Sequence, residues 1–328
     1  MAKPVYKNEN TLFIIAAIIS AICWAVILYA TSGVFLLFIP VFYILLIFAE
    51  SALISYLKGT GALVSSEQFP DLHKMVVYCA EKLSFKKIPQ VYILNGNGVL
   101  NAFATQFLFK NYIVLLSDVI DSFEGQSDPI HFYIGHEMGH IDRKHIAWAP
   151  FLSFGMILPL IGAGYSRARE YTCDLYGAEC CTPDMAQRAL AALAVGKKRH
   201  QSINLQAYME QAKATSGFWM SFHELVASYP WLVKRIAKLP SANPVAVPLR
   251  NPFAYLFAIF VPRLTMMSVI FIYLVAISVG GGLVGKDLVS AAKARRDAAH
   301  PMSNEYQQQE YAPQDYDTPQ DNAQPPER

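Results

Sequence analysis

Apolar residues are concentrated in a few long runs, and the longest lies near the start of the chain. Residues 11–49 include no charged side chain. At 1.5 Å per helical residue this run is too long for one membrane crossing, and Thr31-Ser32-Gly33 provides a turn near its middle. The pattern predicts two membrane-spanning helices, near 11–30 and 34–56, so that residues 1–57 form a transmembrane hairpin. A cleavable signal peptide is the alternative for the first segment, but the apolar segment that follows at once favours the hairpin.

A second apolar region, residues 252–284, lies towards the C-terminus and is interrupted by Pro262-Arg263. Residues 264–284 are long enough for a third span, while 252–263 are better suited to the membrane interface. The pattern therefore predicts a C-terminal transmembrane segment over 251–285. The composition then shifts to Gln, Pro, Asp, Asn and spaced Tyr, which cannot bury a core. Residues 286–328 are accordingly predicted to form a disordered polar tail.

Between these regions the chain alternates between short elements with different periodicities. Alternating apolar, β-branched and aromatic residues predict the strands of a small sheet at 91–94, 101–107 and 112–116. Apolar residues at helical spacing predict helices at 70–85, 185–195 and 205–227. The predicted fold class is therefore α+β and mainly helical, with one domain over residues 58–250 anchored by transmembrane helices.

The most informative chemistry lies at residues 136–140, which read His-Glu-Met-Gly-His. On a helix, residues four apart share one face, so the imidazoles of His136 and His140 can converge on one tetrahedral cation. Glu137 projects beside that face, where its carboxylate can reach a water bound to the ion and serve as the general base. Ser127-Asp128-Pro129 marks the start of this helix, with Asp128 as its predicted cap. The pentapeptide predicts a zinc hydrolase.

A third ligand has to come from elsewhere in the chain. The Gly and His that complete the site in one class of zinc proteases are replaced here by Arg143 and Ile146. Glu170 is the best candidate, because it shares a helix face with Asp174 at a spacing of four. Two imidazoles and one carboxylate leave a fourth position open for water, and Asp174 would accept the free N–H of a ligand histidine. The alternative is a surface helix on which Glu170 pairs with Arg167.

This ligand set constrains the apolar stretch at residues 147–165, which lies between the pentapeptide and Glu170. If the stretch crossed a bilayer once, His140 and Glu170 would lie on opposite sides and could not share a metal. It is therefore expected to re-enter the membrane, to lie in the interface or to pack as a buried helical hairpin. Two prolines and three glycines within it supply the breaks that such a path needs.

Taken together, these motifs resemble the membrane-bound zinc metallopeptidases of the HtpX and CAAX prenyl protease superfamily over about residues 65–240. The matching segments are Asn101-Ala102-Phe103-Ala104, the pentapeptide, Ser166 to Asp174 with Cys173 in place of the usual Ala, and Ser228-Tyr229-Pro230 followed by Arg235-Ile236. The resemblance implies a zincin-like domain in which Glu170 completes the zinc site. It also implies an edge strand at which Asn101 and Ala102 bind an extended substrate.

The last matching segment concerns the handling of the substrate. The resemblance implies that the residues at positions 229 and 235 help to hold the substrate or the developing oxyanion near zinc. Arg235 keeps the usual residue, but Tyr229 stands where relatives usually have His, although a phenol can still donate a hydrogen bond. A packed turn aromatic before Pro230 is the alternative for Tyr229, and an ordinary turn residue is the alternative for Asn101.

The residues and the resemblance together predict an integral-membrane, zinc-dependent endopeptidase with Glu137 as its general base. Its substrates would be proteins or peptides, above all membrane proteins, and the resemblance implies a role in membrane-protein quality control. A CAAX-type prenyl-protein protease is the nearest alternative, but those relatives have more membrane spans than this chain has apolar segments. A catalytically inactive membrane adaptor that keeps the fold is the other alternative, and only the departure at Tyr229 favours it.

Composition and charge bear on the binding partners and the cellular location of the protein. Hydrophobic residues make up 54% of the chain, which is high for a soluble protein, and the formal net charge is only +2. The basic cluster at 197–200 is too short to predict a nucleic-acid surface. Lysines flank the N-terminal hairpin, so the positive-inside rule places the catalytic domain on the cytoplasmic side of a bacterial cytoplasmic membrane. Five cysteines without a disulfide framework agree with a reducing compartment, and the oligomeric state stays open.

Overall fold

The computed structural model describes residues 3–99, 101–123, 125–196, 198–263 and 266–299. The described residues divide into two units, one that ends at Val275 and one that begins at Ala276. The described α-helices are α1 (Glu9–Ala30), α2 (Phe38–Thr60), α3 (Pro70–Lys82), α4 (Ser117–Ser122), α5 (Ser127–Asp142), α6 (His145–Trp148), α7 (Ser153–Ile157), α8 (Ile161–Glu179), α9 (Pro183–Val195), α10 (Leu205–Glu210), α11 (Phe218–Val226), α12 (Leu232–Lys238), α13 (Pro252–Ala258) and α14 (Met266–Ala299). The described strands are β1 (Ala62–Leu63), β2 (Gln90–Leu94), β3 (Ala102–Phe107) and β4 (Lys110–Leu116). The predicted α+β, mainly helical class is confirmed.

Helices α1 and α2 occupy the region of the predicted N-terminal hairpin. Both α1 and the stretch Val34–Thr60, which adds a short 3₁₀ helix ahead of α2, are long and apolar enough to cross a membrane. In the connection, Ser32 and Gly33 have φ of 50° and 79°, a left-handed conformation that reverses the chain direction and that glycine adopts readily. Large apolar side chains such as Ile22 and Phe48 are exposed on this hairpin, as a lipid-facing surface requires.

The sheet has the order β1-β2-β4-β3. Strands β2 and β4 are parallel, while β3 pairs antiparallel with β4 in a register that places Ala102 opposite Leu115. Strand β3 therefore forms one edge of the described sheet, and an edge strand can pair with a further strand. The same strand also packs against α5, which carries the pentapeptide.

The main core lies between this sheet and helices α3, α5, α8, α9 and α12, and its buried residues include Val76, Ile113, Met138, Tyr176 and Ile236. Within it, α5 and α8 approach each other unusually closely. A Cβ atom added to Gly135 would lie 3.0 Å from the Cα of Gly177, and one added to Gly139 would lie 3.1 Å from the Cα of Cys173. Only glycine permits this approach, which brings the pentapeptide against the helix that carries Glu170.

The apolar stretch at 147–165 does not form a single long helix. It contains the end of α6, the short helix α7 and the first turn of α8, and it packs against α1. The backbone N–H of Gly155 donates to the hydroxyl of Ser20 at 2.8 Å, and a Cβ on Gly155 would lie 2.3 Å from the carbonyl oxygen of Ala16. The described residues of this stretch pack against α1, and α5 and α8 pack against each other. The three expected arrangements relative to a membrane stay predictions.

Three predicted segments differ from the structure or lie partly outside the described residues. The helix predicted at 205–227 is divided into α10, a 3₁₀ helix at Gln211–Ser216 and α11, and the extended Gly217 precedes α11. The tail predicted to be disordered from residue 286 is instead helical up to Ala299, because its alanines and long side chains are good helix formers and Arg296 lies in the last turn. Residues 300–328 lie outside the described residues, as do most side chains of the predicted third span at 264–284.

Candidate metal centre

The pentapeptide lies in the C-terminal half of α5. This helix begins at Ser127 with Gln126 before it, so Asp128 lies in the first turn and is not the cap that the sequence predicted. His136 and Glu137 are buried, with 8% and 6% of their surface exposed. The two imidazole ring centres of His136 and His140 are 5.1 Å apart, because four residues of helix return the chain to the same face.

Glu170 on α8 faces both imidazoles. Its Oε2 lies 3.7 Å from Nε2 of His136, and its Oε1 lies 3.7 Å from Nε2 of His140. These distances are too long for hydrogen bonds. A tetrahedral zinc ion with bonds of about 2.0–2.2 Å holds its ligand atoms roughly 3.4 Å apart, so the two nitrogens and the carboxylate fit such an ion.

Cys173 offers a different third ligand. One atom each from His136, His140 and Cys173 lies within 4.8 Å of the others. The thiol, however, is 3.8 Å from Nδ1 of His145, and that same atom is 3.0 Å from Nδ1 of His140. Cys173 is thus on the Nδ1 side of His140, whereas Glu170 faces Nε2 of both histidines. The geometry favours Glu170 as the partner of the two imidazoles.

The outer nitrogen of His136 faces Asp174. Nδ1 of His136 lies 3.1 Å from Oδ1 of Asp174, and Arg235 donates to the two oxygens of that carboxylate at 2.6 and 2.8 Å. Burial alone would raise the pKa of Asp174, but the charge and hydrogen bonds of Arg235, together with His136, hold it below its usual range. Asp174 therefore stays ionised and can accept the Nδ1–H of His136, which leaves Nε2 free to bind a metal.

The outer nitrogen of His140 faces a second, unpredicted series of contacts. Nδ1 of His140 lies 3.0 Å from Nδ1 of His145, and Nε2 of His145 lies 3.1 Å from Oε1 of Glu9 at the start of α1. Arg143 donates to the same oxygen at 2.9 Å. Burial, reinforced by the charge of His136 and His145, lowers the pKa of His140 well below its ordinary value. A neutral His140 suits metal binding.

Glu137 lies beside the two histidines with its carboxylate in the cavity. Burial and the nearby charge of Glu170 raise its pKa to about 7, against the opposing effects of His136, of a hydrogen bond from the Ala104 backbone and of Arg235. A carboxylate with a pKa close to neutral can both accept a proton and return it. The hydrogen bond from Ala104 also ties Glu137 to the edge strand β3.

The remaining predicted residues meet at one cavity of about 440 Å³. Asn101 and Ala102, at the start of β3, lie on one side of it, and Tyr229 and Arg235 lie on another. Tyr229 is 63% exposed in the loop between α11 and α12, and the charge of Glu170, more than burial, raises the pKa of its phenol. Arg235 is 6% exposed and also lies 3.4 Å from Glu170.

Three residues near the site were missed from the sequence. Arg169 lines the same cavity, but nothing in the sequence assigned a role to it beside Glu170. His145 was missed because it follows the end of α5, where Lys144 has a left-handed φ of 57° and breaks the helical spacing. Glu9 was missed because it lies 136 residues before His145 in the predicted anchor. In the sequence, the only sign of these contacts was the presence of His145 shortly after the pentapeptide.

The region that contains this site is similar to known peptidases. A model of peptidase family M48 matches residues 66–161 and 148–243, which together cover more than half of the 328 residues. A plastoglobule-localized metallopeptidase 48 from the chloroplast of Arabidopsis thaliana is 28% identical over 48% of this chain and 49% of its own length. A Protease HtpX homolog from Fusobacterium nucleatum is 25% identical over 50% of this chain and 66% of its own length.

The chain thus spans about half to two thirds of the length of these curated relatives. Among solved structures, the crystal structure of S. mikatae Ste24p aligns with 69% of this chain and 66% of its own, with a TM-score of 0.37 and 18% identity.

Proposed function

The chain belongs to peptidase family M48, and from this premise we propose that it is a membrane-anchored, zinc-dependent endopeptidase. The observation that carries the proposal is the placement of Glu170, whose two oxygens each lie 3.7 Å from Nε2 of one pentapeptide histidine. His136, His140 and Glu170 would hold the ion. When bound, zinc would supply Lewis-acid activation of a water molecule and of the scissile carbonyl.

Glu137 would handle the protons of the reaction. Its carboxylate, with a pKa of about 7 from burial and the charge of Glu170, is suited to take a proton from the attacking water. The same group would then deliver that proton to the nitrogen of the leaving amine. Burial keeps bulk water away from the carboxylate, so the proton stays on Glu137 between the two steps.

The edge of β3 would hold the substrate. Strand β3 borders the cavity that contains Glu137, and its outer backbone groups can pair with an extended peptide. Asn101 and Ala102, at the start of the strand, would fix the register of that peptide relative to the metal. Its scissile carbonyl would then lie between Glu137 and the loop that carries Tyr229.

Tyr229 and Arg235 would contribute in different ways. The exposed phenol of Tyr229 can donate a hydrogen bond to the oxygen of the scissile carbonyl as it gains negative charge. Arg235 is fully engaged with Asp174 and lies close to Glu170, so it would act mainly by holding those two carboxylates in place. The catalytic assignment of both residues is part of the proposal.

The two N-terminal apolar helices support a location for the activity at a membrane. Two apolar helices precede the domain, and α1 packs against α7 and α8, so the metal centre would lie close to a bilayer surface. Proteins of the same membrane are then the proposed substrates, with the domain on the cytoplasmic side of a bacterial cytoplasmic membrane. A role in membrane-protein quality control is supported by the resemblance to the HtpX group.

The test uses the full chain purified in an uncharged detergent and loaded with zinc. Cleavage of an unfolded protein is followed for the wild type and for Glu137→Gln, which keeps the size of the side chain and removes the base. We expect cleavage by the wild type and a loss of at least about a thousandfold in the variant, with its zinc content unchanged. Equal rates in the two proteins, or no cleavage by either, would contradict the proposal and favour the adaptor.

A further inference from the structure

A second cavity, lined mainly by basic and aromatic side chains, adjoins the Arg235–Asp174 pair. Its volume is about 560 Å³. It is bounded by residues 6–8 ahead of α1, by α8, by α12 and by the segment 247–250 that leads to α13. We call it the basic pocket, after the five basic residues that line it: Lys7, Lys234, Arg235, Lys238 and Arg250.

Carboxylates neutralise only part of this charge. Asp174 pairs with Arg235, as described above, and the buried Glu224 accepts from both Lys234 at 2.5 Å and Arg250 at 2.8 Å. Two carboxylates therefore serve three of the basic side chains. Within the described ranges, Lys7 and Lys238 have no carboxylate partner. The pocket keeps an excess of positive charge.

Lys238 shows the effect of this excess most clearly. Its ammonium donates to the hydroxyl of Tyr6 at 2.7 Å and lies 4.0 Å from the ring centre of Tyr171. Burial, together with the charges of Arg250 and Lys7, lowers the pKa of Lys238 to about 8 against the opposing charge of Glu224. A further negative charge in the pocket would stabilise the charged form of the Lys238 side chain.

Two buried polar groups in the lining also have no hydrogen-bond partner among the described residues. One is the hydroxyl of Tyr171, a residue that is only 4% exposed, and the other is Nε of Arg250. Buried polar groups in proteins are nearly always hydrogen-bonded, so their presence beside an excess of positive charge is informative. Tyr171 and Arg250 both line the pocket, so a ligand that carries negative charge and accepts hydrogen bonds would complement the donors there.

We propose that the basic pocket binds a phosphate group, carried either by the headgroup of an anionic phospholipid or by free phosphate. Guanidinium, ammonium and phenol groups are the donors that phosphate oxygens accept from most readily. Residues 6–8 immediately precede α1, so a headgroup would reach the pocket from a membrane that contains α1. This inference rests on the membrane anchor and is independent of peptidase activity.

The test measures binding to the full chain in an uncharged detergent by calorimetry and native mass spectrometry. One arm uses inorganic phosphate, and the other compares dihexanoyl phosphatidylglycerol with dihexanoylglycerol, which lacks the phosphate. The variants are Lys238→Met, which removes the charge and keeps the stem, and Tyr171→Phe, which removes only the hydroxyl. Lys213→Met is the matched control, because Lys213 is exposed outside the pocket and pairs with Glu210.

We expect phosphate-bearing ligands to bind the wild type and the Lys213→Met control equally. Binding should weaken about tenfold or more in Lys238→Met and about threefold in Tyr171→Phe. Binding of the lipid alone would identify the headgroup as the ligand, and binding of inorganic phosphate alone would identify the free ion. Equal binding to the wild type and to Tyr171→Phe and Lys238→Met, or no binding in either arm, would overturn the proposal. Tyr171→Phe keeps the test valid if Lys238→Met does not fold.

Discussion

The two pentapeptide histidines are supported by different parts of the molecule. The outer nitrogen of His136 faces Asp174, which α8 contributes and Arg235 holds, all within the region that matches family M48. The outer nitrogen of His140 faces His145, which contacts Glu9 on the first of the two apolar helices. In the proposed metal site, Glu9 and His145 would therefore orient the imidazole of His140, and the first apolar helix would contribute to the site.

In the second series of contacts, from His140 through His145 to Glu9, each ring nitrogen can be assigned a proton donor or acceptor role. With a metal on Nε2, His140 carries its proton on Nδ1 and donates to Nδ1 of His145. His145 then carries its own proton on Nε2 and donates to the carboxylate of Glu9. Both rings stay neutral, and burial lowers the pKa of His145 in the same sense.

Removing the group that both histidines share should have the largest effect. Glu170→Gln takes away the carboxylate that faces both Nε2 atoms, so we expect zinc affinity to fall by more than about a hundredfold. Competition with a fluorescent chelator measures it. Cys173→Ser is the matched control on the same helix and should keep zinc. Loss of zinc in Cys173→Ser with retention in Glu170→Gln would reverse the ligand assignment.

Replacing Asp174, which faces the outer nitrogen of His136, should lower both the zinc affinity and the free energy of unfolding. Asp174→Asn keeps the shape of the side chain but leaves Arg235 buried with only the more distant Glu170 as counter-charge. We expect a loss of about 3 kcal/mol in the free energy of unfolding and a ten- to hundredfold loss of zinc affinity. Chemical denaturation in detergent and chelator competition measure the two effects. A variant with wild-type stability would show that the Arg235–Asp174 pair contributes little.

Breaking the support of His140 tests the role of the anchor. Glu9→Gln and His145→Phe should each lower zinc affinity about tenfold. Because the two residues act in one series, the double variant should lose little more than His145→Phe alone. Glu50→Gln, which changes an exposed carboxylate on α2, is the control and should bind zinc normally. Additive losses from Glu9→Gln and His145→Phe would mean that Glu9 acts independently of His145.

Replacing Tyr229, on the exposed side of the cavity, should have the smallest effect. Tyr229→Phe removes a hydroxyl from a side chain that is 63% exposed, so we expect zinc affinity to stay unchanged and kcat/KM to fall about three- to tenfold. Tyr229→His restores the residue that the resemblance leads one to expect and should keep activity at or above the wild-type level. A change in zinc affinity in Tyr229→Phe would place the phenol in the metal site itself.

The features that depend on local geometry could be predicted from the sequence. Helical spacing placed His136 beside His140 and Glu170 beside Asp174, and the length of the first apolar run required a hairpin. Alternation marked the three longer strands to within two residues. The tail from residue 286 to residue 299 was misjudged, because composition suited to solvent is also compatible with an exposed helix.

The partner of each outer histidine nitrogen and the position of the basic pocket depend on how distant parts of the chain pack together. Glu9 reaches His145 because α1 packs against α7 through the close approach of Gly155 to Ala16. The basic pocket likewise draws its residues from the start of the chain, from α8 and from α12 onward. Such contacts depend on how distant elements pack, and no periodicity within a single element records them.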